Sequence, residues 1–183
     1  MHSSTQAFIP LNICVLTISD TRTLATDTSG QALIDLLESG GHRLIGRSLV
    51  NDCVYRIRSQ VSQWIADDAV QVILTTGGTG FTGRDNTPEA ILPLLDKLVD
   101  GWGETFRQES TLEIGTAGMQ SRAFAGLANA TLICCLPGSP GACRLGWKKV
   151  IAPQLDGQTR PCNFIPHLKP QRGAPVTACE SRT

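Results

Sequence analysis

The stretch Leu74-Thr75-Thr76-Gly77-Gly78-Thr79-Gly80-Phe81-Thr82-Gly83-Arg84-Asp85-Asn86-Thr87-Pro88-Glu89 decides how the rest of this chain is read. Ahead of it, Val70, Val72, Ile73 and Leu74 form an apolar run that reads as a buried strand. Behind the glycine cluster, Thr87-Pro88-Glu89 has the residues of a helix start, with Thr87 as N-cap and Pro88 at the first helical position. A strand that runs into a glycine loop and then a helix presents backbone N–H groups and a partial positive charge to an anion. Thr76, Thr79, Arg84 and Thr87 add donors, and Asp85 adds a carboxylate that can hold a cation beside that anion. The plainer alternative is a strand-to-helix turn that needs its glycines only for positive φ. The loop is neither a GxxxxGKS/T phosphate loop nor the dinucleotide fingerprint.

Strand and helix alternate on the N-terminal side of this loop. Asn12 to Ile18 reads as a strand closed by Ser19-Asp20, and Thr28 to Ser39 as a helix with Leu33, Leu36 and Leu37 on one face. Gly40-Gly41 stops that helix, Arg43 to Val50 forms a second strand, and Asn51-Asp52 opens a helix from Cys53 to Asp67. After the glycine loop a helix is expected from Thr87 to Leu95. This order predicts an α/β fold with a mostly parallel sheet. Ligands of such sheets bind beyond the C-terminal strand ends, and here each of the three ends carries an aspartate: Asp20, Asp52 and Asp85.

The second half is less regular. Short helices are expected from Gly101 through Ser110 and from Thr116 to Arg122. Ala123 to Ala128 and Thr131 to Leu136 flank Asn129-Ala130, a tight hairpin that brings in one antiparallel strand. Pro137-Gly138-Ser139-Pro140-Gly141 repeats the device of the first loop, with Ser139 as N-cap and Pro140 next, and starts a final helix to Ile151.

With 183 residues, the chain suits one domain with one sizeable core. It divides into a loose leader over 1–10, a domain over 11–168 and a disordered, Pro-, Gly- and charge-rich tail over 169–183. Hydrophobic residues make up 41% and charged residues 17%, the profile of a soluble globular protein. A formal net charge of zero argues against a nucleic-acid partner, and no segment suits a membrane partner, a bilayer span or a secretory signal. Seven irregularly spaced cysteines without a CxxC pair read as reduced cytoplasmic thiols, with Cys14, Cys134 and Cys135 in apolar runs and Cys53, Cys143 and Cys162 outside any metal signature.

Each candidate residue has a structural and a chemical reading. Asp52 either caps the helix that follows or joins Asp85, otherwise a solvated loop charge, in positioning Mg²⁺. Ser19, Asp20 and Arg22 order their own loop or touch a ligand. Ser139 caps a helix or meets a second anion or a ribose. Glu104 and Arg107 face either solvent or the crevice, and Trp102 reads as a packing or interface residue.

Taken together, Thr17-Ile18-Ser19-Asp20, the stretch Leu74 to Glu89, Gly101-Trp102-Gly103-Glu104 and Leu136 to Ala142 (LPGSPGA) resemble the MoaB/MogA family of molybdenum cofactor biosynthesis proteins. TGRDNTPEA, EIGTAGMQSRA and RPCNFIPHL resemble the MoaB branch more than the MogA branch. The resemblance implies a three-layer α/β/α molybdopterin-binding fold and assembly as a homotrimer or homohexamer. It also implies molybdopterin and nucleotide as ligands, with other proteins of the pathway as further partners. The implied chemistry is adenylylation: the terminal phosphate of molybdopterin attacks the α-phosphate of Mg-ATP and pyrophosphate leaves, with GTP as the alternative nucleotide. Asp52 and Asp85 match the family's two functional carboxylates. Gly77, Gly78, Thr79 and Gly80 match its ligand loop and Ser139 the second loop, so that Thr76, Pro137 and Gly138 fall in ligand-binding stretches. The family often reads Pro-Asp-Asp or Pro-Asp-Glu where this chain has Asn51-Asp52-Cys53. That departure keeps open a second function, a molybdopterin- or nucleotide-binding protein without turnover. An unrelated sugar-phosphate or nucleotide enzyme is the third.

Overall fold

The structure, a computed structural model, describes residues 8–170. Strands β1 (Asn12–Ile18), β2 (Arg43–Val50) and β3 (Val72–Thr76) alternate with helices α1 (Thr28–Ser39), α2 (Val54–Ala66) and α3 (Thr87–Ile91). Then come β4 (Lys97–Leu98), α4 (Asp100–Ile114), β5 (Phe124–Ala128), β6 (Thr131–Leu136), α5 (Pro140–Gly146) and α6 (Ala152–Gln154). One six-stranded sheet has the order β2-β1-β3-β6-β5-β4. The first four of these are parallel, and β5 alone runs against its neighbours.

Alternation along the strands separates two apolar layers. Ile13 and Val15 of β1, Val72 and Leu74 of β3, and Leu132 and Cys134 of β6 face Leu33 and Leu37 of α1, Trp102 and Phe106 of α4, and Leu145 of α5. Cys14, Leu16, Ile73, Ile133 and Cys135 face the other way, onto Ile57 and Val61 of α2 and Ala90 and Ile91 of α3. Both faces of the central strands are therefore covered, as a parallel sheet requires. Each fully buried leucine or isoleucine contributes about 1.5–3 kcal/mol to this arrangement.

The expected helix from Thr87 to Leu95 is shorter: α3 ends at Ile91, and Leu92–Leu94 tighten into a 3₁₀ turn around Pro93. The helix expected to end near Ser110 runs on to Ile114, and Gly115–Gln120 is 3₁₀. The final helix is broken by a π turn over Trp147–Ile151, just ahead of Pro153, which has no N–H to donate. The short edge strand β4 had no periodicity to announce it.

Two residues at the margins of the expected domain pack against it. Phe8 belongs to the leader by composition, yet its ring packs on His42, with centroids 5.2 Å apart. Lys169 belongs to the tail by composition, yet it is buried, and its ammonium donates to the carbonyls of Ile65 (2.7 Å) and Asp67 (2.8 Å). Residues 1–7 and 171–183 of the expected leader and tail lie outside the described residues.

One buried carboxylate fastens α1 to the sheet. Asp27 caps α1 by accepting from the Gly30 N–H at 2.9 Å, and it accepts from the Thr17 hydroxyl at 2.7 Å and from Arg47 at 3.3 Å. Burial pushes its carboxyl up, but these bonds and the Arg47 charge outweigh burial and hold it below the usual value. A depressed folded value means that the stabilisation is present above the unfolded pKa, about 3.9, and is lost as pH falls through the folded value. Asp27→Asn is expected to lower unfolding free energy by about 1–3 kcal/mol at pH 7. In urea denaturation series the gap to the parent should close as pH drops below about 4.

Candidate active site

In this strand order the chain moves outward from β1 to β2 and then returns past β1 to β3, so the direction of winding reverses at β1 and β3. A crevice of about 620 Å³ opens at their C-terminal ends, in the place such topologies use for ligands. Ser19, Asp20, Asp52, Thr76, Gly77, Gly78, Thr79, Gly80, Arg84, Asp85, Pro137, Gly138 and Ser139 all line it. The three strand-end loops and the loop after β6 therefore converge.

The glycine loop is shaped by lack of space. Gly77 and Gly78 have φ of +106° and +64°. A Cβ on Gly77 would stand 2.2 Å from the Ile18 carbonyl oxygen. One on Gly78 would stand 2.3 Å from Thr87 Oγ1 and 2.8 Å from Asp52 Oδ2. The turn reading is thus satisfied at both residues, each of which has positive φ and is crowded by protein atoms.

Thr87 has a different place from the one expected. It is the first residue of α3 rather than its N-cap, it is fully buried, and its hydroxyl donates to the Gly77 carbonyl at 2.8 Å. Its backbone N–H donates to the Gly78 carbonyl at 3.0 Å. Thr87 fastens the loop from behind and does not line the crevice. Thr76 lines the crevice while its hydroxyl donates to the Pro137 carbonyl at 2.9 Å, tying the two glycine-containing loops together. Ser139 does cap α5, accepting from the Ala142 N–H at 3.2 Å.

Asp52 does not cap α2. That position is Cys53, which makes no side-chain cap bond. Asp52 turns instead toward the glycine loop, where Oδ1 accepts from the Asn86 N–H at 3.0 Å. Asp20 accepts from the Asp52 N–H at 3.2 Å and from Arg84 across the mouth at 2.6 Å. Asp85 accepts from the Thr82 hydroxyl at 2.7 Å and the Thr82 N–H at 2.9 Å, beside Gly80.

The three carboxyls are not equivalent. Burial, helped by the neighbouring charges of Asp85 and Asp20, pushes Asp52 up despite its bonds from Asn86. Desolvation opposes ionisation at Asp20, but bonds from Arg84, the Asp52 N–H and Asn51 hold that carboxyl below its ordinary value. Desolvation is likewise outweighed at Asp85, by the Thr82 and Gly80 bonds and the Arg122 charge. The buried thiols are inert by contrast: burial pushes Cys14 and Cys135 up to about 12 and Cys143 up to about 11. The six described cysteines are all free.

Sequence reasoning missed the far wall, which Ser110, Ile114, Ala117, Gly118, Gln120 and Ser121 build at the end of α4 and the 3₁₀ segment after it. It also missed Arg122, whose contacts all go to the glycine loop and its flanks. Both lie in or beside EIGTAGMQSRA, where the residues carry no recognisable ligand motif of their own. Glu104 and Arg107 do not line the crevice. Arg107 donates to the carbonyls of Ser121 (3.3 Å) and Ala123 (3.1 Å), and Trp102 is buried in a stack on Phe106.

Residues 14–157 match the family described as "Probable molybdopterin binding domain". The chain belongs to this family, that of the MoaB and MogA proteins. It is 54% identical to molybdenum cofactor biosynthesis protein B of Escherichia coli strain K12, over 92% of this chain and 99% of the relative. It is 46% identical to the Bacillus cereus protein of the same name, over 77% of this chain and 84% of the relative. A crystal structure of molybdenum cofactor biosynthesis protein B superposes with a TM-score of 0.80 at 44% identity, covering 82% of this chain and 94% of that one. The six-stranded, mostly parallel α/β architecture is that of the MoaB/MogA family. No described helix is long and apolar enough to cross a membrane.

The steric account of the loop is open to test. Gly78→Ala is expected to cost about 1–3 kcal/mol, from the strained φ and the collision with Thr87 and Asp52. Gly83→Ala, with nothing within 4 Å of the added carbon, should stay within about 0.5 kcal/mol of the parent. Thermal and denaturant unfolding of the two variants checks this, and equal losses would refute it.

Proposed function

We propose that this MoaB/MogA-family protein acts in molybdenum cofactor biosynthesis by binding molybdopterin and adenylylating its terminal phosphate with Mg-ATP. The observation that carries this reading is the convergence of two glycine-bearing loops and three carboxylates on one crevice. An oxygen of the pterin phosphate attacks the α-phosphorus of ATP, the bond from that phosphorus to the bridging oxygen breaks, and pyrophosphate departs. No side-chain nucleophile is needed, which agrees with the burial of Cys14, Cys134, Cys135 and Cys143.

The chain's own part is positioning and charge balance. Backbone N–H groups along Gly78 to Gly80 and at Gly138 and Ser139 border the crevice from two sides and suit anionic oxygens. Arg84 and Arg22 add cationic donors at its edge.

Among the described residues no three metal-ligating side chains form a cage. Mg²⁺ is commonly held by one or two carboxylates together with phosphate oxygens and water, so Asp52 and Asp85 fit that role. Asp52 in particular is a partly buried carboxyl with like-charged neighbours, which a cation would relieve. The ion would supply neutralisation of charge on the phosphates. ATP is the proposed nucleotide and GTP the alternative, and assembly as a homotrimer or homohexamer belongs to the same reading.

The second reading, ligand binding without turnover, rests on Asn51 and Cys53 beside Asp52. Incubating the protein with molybdopterin, Mg²⁺ and ATP, and following adenylylated pterin and pyrophosphate, separates the two. Product formation supports transfer, while pterin binding without product supports the second reading. In the first case Asp85→Asn and Asp52→Asn should each lower turnover by about 100-fold or more while pterin affinity stays within about threefold. Unchanged turnover in either variant removes that residue from the proposed machinery.

A further inference from the structure

Arg122 makes an unusual set of contacts for a residue outside any ligand motif of the sequence. It stands just ahead of β5, and its backbone N–H donates to the Thr79 carbonyl at 3.0 Å. Its Nε donates to the Gly80 carbonyl at 2.8 Å and its Nη2 to the Asp85 carbonyl at 2.6 Å. Its Nη1 is paired with Glu89 in α3. The guanidinium carbon lies 5.6 Å from the centre of the Phe81 ring, within cation–π range. One side chain therefore grips both ends of the segment from Gly80 to Asp85 and braces it against the helix that follows.

Little else holds that segment. Phe81 is 71% exposed. Gly83 has no neighbour within 4 Å of where a side chain would begin. The Thr82–Asp85 bonds are internal to the loop and travel with it. Two anchors remain: the largely exposed Arg84, whose guanidinium meets Asp20 at 2.6 Å, and the Asn86 to Asp52 bond, which lies beyond the end of the segment.

We propose that Arg122 is a positioning residue: by clamping the Gly80 and Asp85 carbonyls it fixes the loop so that the Asp85 carboxylate stands at the crevice. This deepens the adenylyltransfer reading and rests on it for its catalytic consequence. The requirement is for a planar fork rather than a positive charge. Arginine reaches two carbonyls and a carboxylate at once, whereas a lysine ammonium cannot span the same three acceptors. Glu89 contributes by orienting the fork.

The test compares the full-length protein with Arg122→Lys and Glu89→Gln. Hydrogen exchange of amides 80–86 reads the loop, and turnover with molybdopterin and Mg-ATP reads the consequence. Arg122→Lys is expected to speed exchange in 80–86 by about tenfold or more, with β3 and β6 amides unchanged. It should lower kcat by about 10- to 100-fold with a smaller change in KM for the pterin. Glu89→Gln should move both in the same direction by less.

Loop protection in Arg122→Lys equal to the parent overturns the clamp. A loosened loop with parental kcat overturns its catalytic role. If the parent itself forms no adenylylated pterin, the transfer reading fails separately, and the exchange result alone still decides whether Arg122 holds the loop. Loss of β3 and β6 protection in the lysine variant would mark Arg122 as a general structural residue and also overturn the proposal.

Discussion

Strand β3 has to leave the sheet where its neighbour leaves no room for a side chain, and the crevice is arranged around that steric limit. The Ile18 carbonyl of β1 occupies the space beside Gly77, and Thr87 and Asp52 occupy the space beside Gly78. The chain escapes through two successive positive φ values. In that conformation the Gly77 and Gly78 carbonyls meet Thr87, so the start of α3 is fastened directly to the turn. The Gly77 N–H meanwhile donates to the Leu136 carbonyl at 3.0 Å, which brings the loop after β6 alongside. One tight turn thus sets the separation of every group on that side of the crevice.

The charges follow from the same crowding. Asp20, Asp52 and Asp85 come from three different strand ends, and a parallel sheet puts all three ends on one side. Gathering like charges is costly, and the protein offsets the cost unevenly. Asp20 has Arg84, Asp85 has Thr82, and Asp52 has only Asn86 against its burial. Asp52 is consequently the carboxyl most responsive to an added cation. That response is the physical support for Mg²⁺ in the proposed reaction.

How far the fold could be read from sequence varied with the strength of the local signal. β1, β2 and β6 lie at the residues that alternation and apolar runs marked, and the hairpin at Asn129-Ala130 takes φ of 48° and 55°, as a tight two-residue turn demands. β4 was illegible because two exposed residues carry no period. α4 was cut short because Leu112 and Ile114, on its last turn, are exposed and follow no buried stripe. Thr87 shows the subtler failure. Its residue type suits an N-cap, but the pull of two glycine carbonyls outcompetes capping and shifts the helix start by one residue. Within the site the strand-end aspartates and the glycines were legible because they are local to strand ends. The far wall and Arg122 were not, because their roles are set by contacts some 40 residues away in the chain.

That distinction bears on the loop Asn51-Asp52-Cys53, where the resemblance led to different expected neighbours. Judged by sequence, losing a proline and an adjacent acid around Asp52 weakens the case for catalysis. The geometry changes the weight of that departure, because neither neighbour's side chain bonds Asp52 directly. Its N–H is held by Asp20, and its carboxylate is held by the backbone of Asn86, which follows the clamped glycine loop. Asn51 adds a bond of its own to Asp20 at 3.4 Å, and Cys53 occupies the helix cap without competing for Asp52. The placement of the Asp52 carboxylate therefore rests on contacts made through Asp20 and the loop after β3. A loss of turnover, if it followed from this departure, would have to act through local charge rather than through misplacement of Asp52.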